Sequence, residues 1–151
     1  MKFWGDLETY NEVDIRVGTH RYAETAEVLL FAWAVDDGAV QVWDATADPT
    51  PPAEMVQALH AADEVWSHNS HFDRTVLRHA MPDLLPPLER WRDTMVQAMA
   101  HSLPASLGVL GAVLKLPQDM AKDKRGKSLI QLFCKPRPKS TKLRQIGRAH
   151  V

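Results

Sequence analysis

Residues 27–44 constrain the fold more than any other stretch. EVLLFAWAV is an apolar run of strand length, Asp36-Asp37-Gly38 is a hairpin turn signal, and AVQVWD alternates after it. Two strands joined so closely must pair antiparallel. Residues 2–8, KFWGDLE, read as a strand before them. The polar stretch NEVDIRVGTHRYAETA, with Gly18 as a turn residue, connects the two. After the break DPTPP the period changes: Met55, Val56 and Leu59 recur at helical spacing with Pro52 near the start. DEVWSHN then returns to a short strand that runs into a helix at Asn69. That helix, SHFDRTVLRHA, carries its apolar stripe at Phe72, Val76, Leu77 and Ala80 and stops at Pro82. WRDTMVQAMAHSL and SLGVLGAVLKL read as two further short helices, with Ser106 placed to cap the second. Strands alternating with helices around an antiparallel hairpin give an α/β fold with a mixed sheet.

On a strand, alternate side chains leave the same face, so Asp6 and Glu8 share one small volume while Leu7 points the other way. Two anions that close call for a cation or for solvent. Two readings stand for the pair alone: an exposed strand edge, or half of a metal site. The segment HNSHFD adds Asp73, one turn into the helix that follows Asn69. In open α/β sheets ligands gather at the carboxyl ends of strands, where these acids can meet. Carboxylates from adjacent elements suit Mg²⁺ or Mn²⁺, and two such ions about 3.5–4 Å apart can activate water and stabilise the leaving oxygen of a phosphodiester.

With 45% hydrophobic and 25% charged residues in 151, the chain has the make-up of one ordinary domain. It has no uninterrupted apolar run of membrane length and no basic-then-apolar leader, which places it in the cytoplasm and off the membrane. The single Cys134 begins no zinc spacing and closes no internal disulfide; it reads as a small core or surface residue. Zinc at His68, His71 and His79 lacks a completing Cys or His pair. Asp93, before Thr94, reads as a helix cap rather than a metal ligand. The tryptophans and Phe72 are expected in the core, whereas Tyr10 and, less so, Tyr22 lie near the polar loop where a base could stack.

The formal charge of −1 hides a division. Residues 1–114 hold 7 Lys/Arg against 17 Asp/Glu, and residues 115–151 hold 11 against 2. The basic tail, with Lys122, Lys124, Arg125 and Lys127, fits a phosphate-bearing partner or a solvated charged run. Beyond Leu116 one short helix, KSLIQLFC, is expected, and KPRPKS should be extended. The last residues, IGRAHV, look like a translated sequencing adapter and are set apart from the fold.

DLETY on an N-terminal strand, followed some sixty residues later by NSHFD at a strand-to-helix junction, resembles the first two motifs of the DEDD 3′-to-5′ exonucleases. RDTMVQAMAHSLPASLGVLGAVLKL resembles the Asp-Thr helix and the leucine-rich helix of that superfamily. With VGTHRYAE and KDKRGKSLIQLFCKPRPKS, the chain is most similar to the proofreading exonuclease region of bacterial or phage family A DNA polymerases.

The resemblance implies an RNase H-like three-layer fold with a mixed central sheet and incomplete C-terminal helices. It implies a domain core over 1–116 and a basic extension over 117–145, with 146–151 as adapter. Asp6, Glu8 and Asp73 fall on catalytic, metal-binding acids of a two-ion site taking Mg²⁺ or Mn²⁺. Thr9, Tyr10 and Asn69 fall near the terminal nucleotide of a single-stranded DNA 3′ end. The expected assembly is a monomer with a polymerase domain further along the intact chain. The family's fourth acid, four residues after a Tyr or His, has no copy here: Asp83 follows His79 too early and beyond Pro82, and His101 is followed at that distance by Ala105. Truncation before that motif would leave the hydrolytic activity of this piece weak or absent. Two other readings share these residues: a stand-alone DEDD exoribonuclease, and a non-catalytic nucleic-acid-binding module.

Overall fold

The computed structural model describes residues 1–117 and 125–136, apart from the Lys127 side chain. Its centre is a five-stranded mixed sheet in the order β3-β2-β1-β4-β5. The strands are β1 (Lys2–Tyr10), β2 (Glu27–Val35), β3 (Gln41–Asp44), β4 (Glu64–Ser67) and β5 (Trp91–Asp93). β1 pairs antiparallel with β2 and parallel with β4, which in turn pairs parallel with β5. The hairpin read from residues 27–44 is present, with Leu30 opposite Asp44 and Trp33 opposite Gln41. Its turn is closed by the Gly38 N–H donating to the Val35 carbonyl at 2.8 Å. This is the α/β class expected from the sequence.

The helices are α1 (Thr19–Ala23), α2 (Ala53–Ala61), α3 (Ser70–Ala80), α4 (Thr94–Ala100), α5 (Leu107–Val113) and α6 (Gly126–Phe133). Phe3 and Leu7 of β1, Phe31 and Trp33 of β2 and Val65 of β4 form one cluster with Tyr22 of α1, Met55 and Leu59 of α2, and Val76 and Leu77 of α3. Phe3 stacks on Trp33 with ring centroids 5.8 Å apart, and meets Phe31 edge-on at 6.1 Å. Gly5 lies between Phe3 and Leu7 because nothing larger fits: a Cβ there would come within 2.9 Å of the Phe31 ring. Full burial of a side chain such as Leu77 is worth about 1.5–3 kcal/mol, and this cluster holds most of the described buried apolar side chains. Beyond α3 the packing thins. Among the described residues of α4, α5 and α6, only Ala98 and Leu110 are buried apolar side chains.

Several local expectations change. The polar stretch after β1 contains a 3-10 turn, Ile15–Val17, and the helix α1, whose Tyr22 and Ala23 are buried. Residues 91–93 were expected to open a helix, but they form the edge strand β5; the helix starts only after Asp93, whose side chain caps it. A helix cannot begin where the backbone is held extended by pairing with Val65, Trp66 and Ser67. Ser106 occupies the N-cap position of α5 without a side-chain capping bond. Trp33 and Trp43 are buried as expected, whereas Trp4 remains 36% exposed on the opposite sheet face, tilted against Trp66 at 5.3 Å. The short helix expected near KSLIQLFC is α6. Lys122, Lys124, most of KPRPKS, and IGRAHV lie outside the described residues.

Candidate active site

β1 alternates as its sequence dictates: Phe3, Leu7 and Thr9 are buried, while Lys2, Trp4, Asp6 and Glu8 leave the other face. The alternation then shifts. Glu8 pairs with Leu30, but Thr9 pairs with Val28, so Leu29 is an extra residue in β2 directly beside Glu8. Such a bulge re-aims neighbouring side chains and adds local twist.

Asp73 enters from α3. It is 5% exposed, and burial pushes its carboxyl up to about 7, with the negative charge of Asp6 adding to the shift. The nearby Leu7 N–H and Ser67 hydroxyl oppose that rise, although the buried Ser67 hydroxyl reaches no partner at hydrogen-bond distance among the described residues. Asp73 of α3 therefore lies close enough to Asp6 of β1 for the two charges to oppose each other. Glu8 reaches a different neighbour: the Cys134 thiol donates to Glu8 Oε2 at 3.7 Å. Burial first, then Glu8, raises that thiol to about 11.

Beside Glu8 is a cleft of about 250 Å³ whose walls include Glu8, Thr9, Phe72, Ile130, Cys134 and Lys135. Thr9 is buried, and its hydroxyl exchanges a 2.9 Å hydrogen bond with the Tyr22 hydroxyl. That bond ties the largely buried Tyr22 to the core, with Phe72 against it at 5.9 Å, and Tyr22 also lines the cleft. Tyr10 is half-buried, and its enclosed hydroxyl has no hydrogen-bond partner among the described residues.

The turn between β4 and α3 is held from β5. Asn69 adopts a left-handed backbone, φ 69° and ψ 53°, which Asn tolerates better than most residues. Its N–H donates to Asp93 Oδ1 at 3.0 Å, and the Ser70 N–H and hydroxyl donate to Asp93 Oδ2 at 2.7 and 3.0 Å. Asp93 also accepts from the Met95 and Val96 N–H groups, the cap expected of it. Burial would raise the Asp93 carboxyl, but these donors hold it below the usual range.

His68 is occupied as well. Its Nε2 donates to the Ala105 carbonyl at 2.8 Å, and its Nδ1 faces the Thr94 hydroxyl at 2.9 Å. A carbonyl only accepts, so Nε2 carries a proton. His71 meets His20 edge-on at 5.2 Å. Asp83, four residues after His79, sits in a 3-10 turn whose backbone carbonyl accepts from His60 of α2.

Among the described residues, no three His, Cys, Asp or Glu side chains converge as a ready cage for a metal ion. The donor chemistry nonetheless fits a hard divalent cation. Asp73 is a buried carboxyl repelled by a second one, and a cation between them relieves both desolvation and repulsion.

Sequence reasoning missed the part played by Ser67, by Tyr22 as the partner of Thr9, and by Cys134 against Glu8. For Tyr22 the signal was available: Tyr22, Ala23 and Ala26 are apolar residues at helical spacing inside a stretch read as polar. Cys134 is 126 residues from Glu8, and no local pattern links them.

No family model matches the sequence. A DNA polymerase of Bacillus phage SP02 is 38% identical over 139 residues, a match that covers 87% of this chain. The chain spans about a fifth of that relative, 21% of its length. Among solved structures, NrnC of Brucella melitensis, bound to pGG, superposes with a TM-score of 0.56 at 19% identity, over 82% of this chain and 55% of that one. That likeness shows the fold: the mixed sheet and its helices follow the RNase H-like plan. The polymerase relative and this fold bear out the family resemblance drawn from DLETY and NSHFD. No helix among the described residues is long and apolar enough to cross a membrane.

Proposed function

We propose that this chain, a relative of a segment of a phage DNA polymerase, is a 3′-to-5′ exonuclease domain that trims the end of a single-stranded DNA. The observation that carries the proposal is the approach of Asp73 to Asp6, with Glu8 on the same face of β1. Asp6, Glu8 and Asp73 would hold the divalent cations, Mg²⁺ or Mn²⁺. When bound by such carboxylates, those ions supply an activated water and stabilise the leaving oxygen of a phosphodiester.

The chain's own residues divide the remaining work. Asp73 is buried where α3 meets the sheet. Asp6 stands at the exposed rim, and Glu8 forms one wall of the cleft. Phe72 offers that cleft an apolar surface, and Lys135 offers it a cation, a combination suited to a nucleotide. Thr9 would present its backbone to the nucleotide, because its side chain is engaged by Tyr22. Asn69 and Tyr10 flank the acids and are proposed to contact the terminal nucleotide. The catalytic core is assigned to residues 1–116, and the basic segment 117–145 is assigned to the DNA backbone. A polymerase portion in a longer chain, proofreading as the biological role, and a monomeric domain complete the proposal.

The test is release of mononucleotides from a 5′-labelled single strand in Mn²⁺, with matched DNA and RNA oligonucleotides. Release is expected to be slow, confined to the 3′ end, faster on DNA, and absent in Asp6→Ala. Equal release by Asp6→Ala and the native protein would overturn the assignment.

A further inference from the structure

Asp93 does more than cap a helix. One carboxylate serves the N-termini of two helices at once. Oδ1 accepts from Met95 and Val96 at the start of α4 and from Asn69 ahead of α3, while Oδ2 accepts from the Ser70 N–H and hydroxyl. Both helix dipoles point their positive ends at this anion. The arrangement is reinforced in register: Asp93 pairs with Ser67, the last residue of β4, so the carboxylate sits where that strand ends and the chain turns. The Thr94 hydroxyl lies 3.4 Å from the Ser67 carbonyl and 2.9 Å from His68 Nδ1, a second tie between the same two turns.

We propose that Asp93 is a positioning residue: by clamping the Asn69–Ser70 turn it fixes the first turn of α3, and with it the place of Asp73 against β1. The inference rests on the exonuclease reading for its functional meaning, though not for its geometry. The Phe72 N–H donates to the Asn69 carbonyl at 2.9 Å, so the turn that Asp93 holds also opens the helix on which Asp73 stands. Asn69 is in the left-handed region, where an unsupported non-glycine residue relaxes toward other conformations. If the clamp is released, α3 is free to start differently and Asp73 to leave its buried place against β1.

Capping and clamping separate in one variant. Asp93→Ser keeps a good N-cap for α4, since a serine hydroxyl accepts from the N–H groups two and three residues on, but it has no second oxygen for Ser70. Asp93→Ala loses both roles. The experiment measures amide hydrogen exchange at Leu7 and Phe72, thermal unfolding, and Mn²⁺ affinity on the full chain.

Asp93→Ser is expected to melt closer to the native protein than Asp93→Ala does. At the same time its exchange at Leu7 and Phe72 should quicken about tenfold, and its Mn²⁺ binding should weaken about tenfold. Leu7 is not bonded to Asp93, so a cap alone would not move its exchange. Native exchange at Leu7 and Phe72 in Asp93→Ser overturns the clamp. Quickened exchange in a protein whose native form binds no Mn²⁺ overturns the metal reading and supports the clamp on Asp73.

Discussion

Helices α3 and α6 are both amphipathic, yet the molecule uses them differently. α3 buries Val76 and Leu77 completely and carries Asp73 into the sheet. α6 leaves Leu129, Leu132 and Phe133 at 48, 42 and 44% exposure, and among its described side chains Ile130 lines the cleft beside Glu8, with Cys134 and Lys135 following it. An apolar stripe establishes that a helix has a face to bury; burial depends on what stands opposite. α3 lies against three strands and α1, whereas α6 follows the thin end of the structure. The three acids depend on the well-packed half for their placement.

The largest expected effect separates the acid from the core that holds it. The Asp73 carboxyl is raised in the folded chain from an ordinary 3.8 to about 7. The folded state therefore keeps a proton that the unfolded state releases as the pH rises above about 4. Stability from this source is fully present below pH 4, is lost as the pH climbs through 7, and is level above that. In chelator, Asp73→Asn should remove the loss and be more stable than the native protein at pH 8 by on the order of 4 kcal/mol, with little difference at pH 4. Denaturant titrations at the two pH values measure it, and parallel pH profiles for the two proteins would contradict it.

Leu77→Ala tests the packed half directly. It should cost about 3 kcal/mol by emptying a fully enclosed position, read as a shift in the urea midpoint. Gly5→Ala comes next. Its methyl group meets the Phe31 ring at 2.9 Å, and the strain should cost about 2 kcal/mol in the same titration. At the weak end, Leu132→Gln on α6 should change stability by less than about 0.5 kcal/mol. A loss as large as that of Leu77→Ala would mean that α6 is packed as firmly as α3, and would erase the contrast between them.

Much of this was legible in the sequence where the signal was periodic. The strand carrying Asp6 and Glu8, the hairpin at Asp36-Asp37-Gly38, and α3 from Ser70 to Ala80 follow from alternation, turn chemistry and a helical stripe. β5 was not legible. Three residues are too few to show a period, and Trp91–Asp93 is extended because β4 lies beside it, not because of its own preference. α1 was hidden by its polar residues, although Tyr22 and Ala23 carried an apolar signal; what no local pattern showed was that the Tyr22 hydroxyl meets the Thr9 hydroxyl. In the site, residue types and order pointed to the acids, and DLETY and NSHFD placed them in a family. The bulge beside Glu8, the clamp from Asp93 and the thiol of Cys134 are contacts between distant segments, which no local pattern encodes.

The central claim, that Asp6, Glu8 and Asp73 form one cation-binding set, is tested most directly by titrating the protein with Mn²⁺ at pH 8 and following the free ion by electron paramagnetic resonance. The native chain should bind Mn²⁺, and Asp6→Ala and Asp73→Ala should each weaken that binding at least tenfold while keeping the native circular dichroism spectrum. Unchanged Mn²⁺ binding in folded Asp73→Ala would contradict the account.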